Sequence, residues 1–184
     1  HWTSDYTMPA PGPMAYSPGF AQDRTAFVGS GSGLHRTSDG GGSWTRVLAE
    51  GVTSLAVSPD FTSDATVLAG GDAVYISHDG GATWTSATLP GAPGQVTALA
   101  LSPEFATDGT AFAGSTTGLA VSHDGGFTWE PVTAFPGLPV YSLAISPGWP
   151  GHAVLLAGTE RGVYRTEDGG NSWSLAEAMS TLPG

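Results

Sequence analysis

Ser77-His78-Asp79-Gly80-Gly81-Ala82-Thr83-Trp84 is one of four copies of a single eight-residue pattern in this chain. The others run Thr37 to Trp44 (TSDGGGSW), Ser122 to Trp129 (SHDGGFTW) and Thr166 to Trp173 (TEDGGNSW). All four fit Ser/Thr-x-Asp-Gly-Gly-x-Ser/Thr-Trp. Their tryptophans stand 40, 45 and 44 residues apart (84−44, 129−84, 173−129). A period of about 40–45 residues marks repeat architectures, and propeller blades in particular.

Within each copy the chemistry is that of a hairpin turn. Asp-Gly-Gly supplies positive-φ positions without a Cβ penalty, between flanks of β-branched and apolar residues. The carboxylates of Asp39, Asp79, Asp124 and Asp168 are placed to accept hydrogen bonds from turn amides. The hydroxyls that bracket each turn (Thr37 and Ser43, Ser77 and Thr83, Ser122 and Thr128, Thr166 and Ser172) can close it. The second glycine (Gly41, Gly81, Gly126, Gly170) completes the bend, and Trp44, Trp84, Trp129 and Trp173 can pack back over it. A calcium loop also uses Asp and Gly, but one obligatory carboxylate per copy is too few for a cation that takes about 6–8 oxygens. The turn reading is therefore preferred, with no metal and no cofactor assigned.

These residues resemble the Asp-box, or BNR repeat, of sialidases, sortilin-type receptors and the photosystem II assembly-factor family. In those families the box is a structural hairpin between the third and outermost strands of a propeller blade, away from the functional centre. The resemblance implies an all-β propeller of four Asp-box blades, each a four-stranded antiparallel sheet. It implies no activity, because fold and function are separable. Families of this kind usually carry more blades, so four must close a small ring, pair with a second chain, or stack openly.

The 184 residues suffice for one domain with a proper core. Hydrophobic residues make up 40%, and six Trp, 28 Gly and 14 Pro suit a globular fold rich in turns. Charged residues reach only 11%, all five cations are arginine, and the formal net charge is −11. That balance excludes a basic surface able to neutralise nucleic-acid phosphates. No apolar run approaches the roughly eighteen residues of a membrane helix. With no cysteine, neither disulfides nor thiolate metal sites contribute. The start at His1, the low charge and the abundant Ser, Thr and Gly point to a processed, extracellular or secreted protein.

Along the single domain the repeats divide as 14–50, 51–91, 92–136 and 137–184. Residues 1–13 form an extra N-terminal strand followed by a Pro-rich linker. Trp2-Thr3-Ser4 matches Trp84-Thr85-Ser86 just after a box, and Pro9, Pro11 and Pro13 follow.

A second element recurs: Ser17-Pro18-Gly19-Phe20, Ser58-Pro59-Asp60-Phe61, Ser102-Pro103-Glu104-Phe105 and Ser146-Pro147-Gly148-Trp149. Each follows a short apolar strand (MAY, SLAV, ALAL, SLAI) that suits the innermost strand near a propeller axis. The aromatic is placed to wedge between neighbouring blades. Asp23, Asp64 and Asp108 stand three residues after it and read as caps of a tight turn, with His152 in that place in the fourth repeat. No segment of about ten residues has a helical period, and Leu175 to Ser180 is the one short candidate.

Catalytic chemistry finds little to work with. A sialidase needs an arginine triad, a tyrosine with a glutamate partner and an acidic proton donor. Arg24, Arg36, Arg46, Arg161 and Arg165 show no such grouping, and Tyr16, Tyr75, Tyr141 and Tyr164 fall mostly on regular repeat positions. Glu130 and Glu160 are carboxylates that nothing singles out as a glycosidase pair. His78 and His123 lie inside boxes and read as pointing outward. His1 joins an α-amine to an imidazole, as copper sites do, but lacks a specified second histidine.

The function read from the sequence is a non-catalytic structural or interaction module. It associates with copies of itself through terminal strand exchange. The alternatives are a scaffold resembling the photosystem II assembly factors and a fragment of a glycan-active protein.

Overall fold

In the computed structural model, residues 12–91 and 94–176 are described. The expected strand in His1–Met8, the copper motif at His1 and most of the short helix candidate at 175–180 lie outside them. Leu175 itself is in a strand.

Each repeat folds into one sheet whose four strands run in chain order. Blade 1 holds β1 (Met14–Tyr16), β2 (Ala26–Ser30), β3 (Gly33–Thr37) and β4 (Thr45–Leu48), with helix α1 (Phe20–Asp23) between β1 and β2. Blade 2 holds β5 (Ser54–Val57), α2 (Phe61–Asp64), β6 (Val67–Gly70), β7 (Val74–Ser77) and β8 (Thr85–Ala87). Blade 3 holds β9 (Val96–Leu101), α3 (Phe105–Asp108), β10 (Ala111–Ser115), β11 (Gly118–Ser122) and β12 (Glu130–Pro131). Blade 4 holds β13 (Val140–Ile145), β14 (Leu155–Thr159), β15 (Gly162–Thr166) and β16 (Ser174–Leu175). All pairings are antiparallel.

Three four-residue helices replace the plain turns read after the Ser-Pro-x-aromatic element. One turn is too short to leave a helical period in the sequence. Each closes with a left-handed residue, Arg24, Ala65 or Gly109. Asp23, Asp64 and Asp108 cap the return: their Oδ1 atoms accept the amides of Thr25, Thr66 and Thr110 at 2.7, 2.8 and 2.7 Å. Their Oδ2 atoms accept the hydroxyls of Ser17, Ser58 and Ser102. The inner strand's exit is thus tied to the next strand's start. The fourth repeat makes this corner with Trp149-Pro150, joined by a cis bond.

The core is not inside any one sheet but between sheets. Three apolar clusters lie at the three junctions between successive blades. Period-2 alternation gives each sheet two faces. The trailing face, toward the following blade, carries Phe27, Leu68 or Phe112 from the second strand and Leu34, Val74 or Leu119 from the third. The leading face of the following blade answers with an aromatic. Phe61 meets Phe27 edge-on at 6.0 Å and Trp149 meets Phe112 at 5.7 Å, so these two aromatics do wedge between blades. Inner strands pack in succession, β1 on β5, β5 on β9 and β9 on β13, and among the described residues β13 and β1 do not pack to that extent. Blades 1 and 4, whose apolar Met14, Tyr16, Leu156 and Val163 are exposed, form the two ends of an arc.

Candidate functional site

The four boxes share one hydrogen-bond plan. The leading hydroxyl donates to the aspartate Oδ1: Thr37 to Asp39, Ser77 to Asp79 and Thr166 to Asp168 at 2.7 Å, and Ser122 to Asp124 at 2.8 Å. The same hydroxyl oxygen accepts the amide of the second glycine, Gly41, Gly81, Gly126 or Gly170, at 2.8–3.0 Å. The opposite carboxylate edge closes the loop. Ser43, Thr83, Thr128 and Ser172 each donate their amide to Oδ1 and their hydroxyl to Oδ2 of the box aspartate. Trp84, Trp129 and Trp173 then donate Nε1–H to the second glycine's carbonyl at 3.2, 2.8 and 3.0 Å. Trp44 packs beside Gly41.

This donor set holds the carboxylates ionised. Hydrogen bonds from Ser172, and then Thr166, lower Asp168 to about 2. Those from Ser43 and Thr37 hold Asp39, and those from Thr83 and Ser77 hold Asp79, far below the usual carboxylate range. At Asp124 burial pushes upward, but the bonds from Thr128 and Ser122 outweigh it and the net shift is down. Such carboxylates have no spare capacity for proton transfer near neutral pH.

The second glycine has a further reason. A Cβ on Gly81 would stand 2.9 Å from Phe27 Cε1 on the preceding blade. On Gly126 it would meet Leu68 and Ile76 at 3.4 Å, and on Gly170 Phe112 at 3.3 Å. The box is therefore a leading-face element that seats the preceding blade's trailing side chain. Among the described residues a Cβ on Gly41, on blade 1, would meet its own Trp44, at 3.9 Å.

His78 does not simply point outward. Its Nδ1 lies 3.0 Å from Thr66 Oγ1, and its ring stacks at 5.0 Å on Phe127 of the next box. This bridge between blades 2 and 3 has no sequence signal, since both residues sit at variable box positions. His123 is exposed in the cleft that these two rings line.

The five arginines divide between the ends of the arc: Arg24, Arg36 and Arg46 on blade 1, Arg161 and Arg165 on blade 4. Arg165 pairs with Glu167 on its own strand end, and Arg46 donates to the carbonyls of Ser32 and Ala49. Among the described residues no group of three or more His, Asp or Glu is placed to hold a metal ion. One cleft, of about 450 Å³, lies beside Leu89, Leu119, Ala120, Val132 and Phe135 and is mainly apolar.

Four-stranded blades stapled by these boxes define a β-propeller built on Asp-box repeats. Residues 75–86 match the BNR/Asp-box repeat. No curated protein matches the chain by sequence. Among solved structures the GH74 xyloglucanase of Xanthomonas campestris is similar, with TM-score 0.73 and 20% identity over 91% of this chain and 30% of that one. The extracellular domain of the one-component system BT4673 from B. thetaiotaomicron gives TM-score 0.71 and 18% identity over 95% of this chain and 23% of that one. YCF48 from Cyanidioschyzon merolae gives TM-score 0.63 and 16% identity over 96% of this chain and 59% of that one. The chain thus spans between about a quarter and three-fifths of these structures' lengths. At these identities the likeness is one of fold.

Proposed function

We infer that the chain is a non-catalytic, extracellular interaction module that works by associating with copies of itself. The observation that carries this reading is the pair of unmatched blade faces at the ends of the arc, where apolar side chains that fill the inner junctions are exposed. Large apolar side chains left exposed together on one face mark interaction sites. The box aspartates are committed to their own turns, and the arginines are split between blades 1 and 4. No helix among the described residues is long and apolar enough to cross a membrane. Low charge, the absence of lysine and the likeness to an extracellular domain support the location.

Strand exchange is part of the same reading. Blade 4 has its own outer strand in β16, so the strand expected from the sequence of His1–Met8 would be surplus to the four sheets. Added to the sheet edge of a neighbouring molecule, it would pair backbone groups that an edge otherwise leaves open.

The tests are direct. Sedimentation velocity over a dilution series is expected to show species heavier than one chain, and a single-chain mass throughout would refute self-association. A fluorogenic sialoside and xyloglucan are expected to be left intact. Turnover that vanishes on mutating Arg161 or Arg165 would refute the non-catalytic part.

A second reading, a scaffold like the photosystem II assembly factors, is favoured by the likeness to YCF48 over nearly the whole chain. It requires a heterologous polypeptide as partner and a chain that stays single on its own.

A further inference from the structure

We propose that the trailing face of blade 4 docks on the leading face of blade 1 in a second copy, head to tail, with Leu156 seated between that copy's Phe20 and Gly41. This rests on the self-association reading and specifies its contact. Equivalent positions in the four repeats differ in exposure at the end blades. Phe27, Leu68, Phe112 and Leu156 occupy the same register, paired across to Arg36, Ile76, Val121 and Arg165. The first three are 0% exposed and Leu156 is 37% exposed. One pair along, Leu34, Val74 and Leu119 are buried while Val163 is 43% exposed. The same holds at the inner strand. Thr53 Oγ1 donates to the Val96 carbonyl of the next blade at 2.6 Å and Thr97 Oγ1 donates to that of Val140. Tyr141, their counterpart on β13, is exposed.

The opposite end carries the complementary vacancy. Leu55 and Val57, Leu99 and Leu101, and Leu143 and Ile145 pack into the junction clusters from the leading faces of blades 2, 3 and 4. Their counterparts Met14 and Tyr16 are 70% and 71% exposed. Phe20, the counterpart of Phe61, Phe105 and Trp149, is left half-buried, and among the described residues Gly41 lacks the side chain from a preceding blade that every other second glycine meets. Val28 and His35, midway across this face, are buried within the chain itself. The free surface is therefore its two margins, the inner strand and the rim of the box.

Charge fits as well. Arg36 on the trailing face of blade 1 approaches the blade 2 box, its Nη2 3.8 Å from where a Gly80 Cβ would be. Arg165 holds that position on blade 4 and would approach the box of Asp39. Of the seven large hydrophobics exposed among the described residues, six (Met14, Tyr16, Tyr141, Leu156, Val163, Leu175) are on the two end blades. The contact joins unlike faces, so it repeats until a ring closes or a filament grows.

The test uses two full-length variants at exposed positions, Leu156→Asp and Tyr16→Asp, each checked for wild-type melting behaviour, with mass read by light scattering. Each variant alone is expected to show the mass of one chain, because each retains one intact face. Mixed together they are expected to give a two-chain species, capped at both ends, through Tyr16 of one and Leu156 of the other. Wild-type assembly by Leu156→Asp would overturn the contact while leaving self-association standing. Assembly by Tyr16→Asp alone would show like faces meeting and overturn the head-to-tail arrangement. A wild-type chain that is itself single would overturn both this contact and the reading beneath it.

Discussion

Gly81→Ala and Gly41→Ala make one backbone change in two different surroundings. Both glycines have positive φ, +88° and +98°, so an alanine side chain strains either turn by about 1–2 kcal/mol. At Gly41 the new methyl has room, with Trp44 3.9 Å away. At Gly81 it lands 2.9 Å from the Phe27 ring, which is fully buried and held edge-on against Phe61. Overpacking of that kind adds about 1–3 kcal/mol. Gly81→Ala is thus expected to cost about 2–5 kcal/mol in total and Gly41→Ala only about 1–2 kcal/mol. In a chain of this size each kcal/mol lowers the melting temperature by about 2–4 °C. Urea unfolding at a dilution where the chains are separate reads both. Equal costs for the two variants would refute the claim that the second box glycine serves the junction between blades.

Acid is expected to loosen the boxes. The folded-state pKa values of Asp39, Asp79, Asp124 and Asp168 lie below the ordinary carboxylate value near 3.8, with Asp168 at about 2. Their contribution is therefore complete above about pH 4 and lost as pH falls through the folded values, so midpoint denaturant concentrations should be flat from pH 5 to 8 and drop below pH 4. Replacing Asp79 by Ala should remove part of that acid dependence and lower the melting temperature, and an unchanged profile would contradict the structural role. Ala65 holds φ +51° at the end of α2 where the equivalent residue of α3 is Gly109, so Ala65→Gly should stabilise by about 1 kcal/mol, read by urea midpoint. Deleting residues 1–8 should weaken but not abolish assembly, because the blade faces remain. Unaltered association on dilution would remove strand exchange from the account.

The four boxes and the Ser-Pro-x-aromatic corners carried most of the fold in plain view. A turn needing two left-handed residues can be written in few ways, and its spacing counts the blades. The four-residue helices at Phe20, Phe61 and Phe105 escaped because one helical turn leaves no period. The stacking of His78 on Phe127 escaped because it joins variable positions of neighbouring boxes. The exposed end faces were half-legible. Leu156 aligns with Phe27, Leu68 and Phe112 in the repeat pattern, and nothing in Leu156 itself says that its junction is unfilled. That follows only from how many blades stand in line and whether they close.

Negative-stain electron micrographs of the purified 184-residue chain would show its assembly itself. Head-to-tail docking of open arcs predicts closed rings or unbranched filaments of uniform width. Fields with no particle larger than a single four-bladed arc, at concentrations well above those of the dilution series, would contradict it.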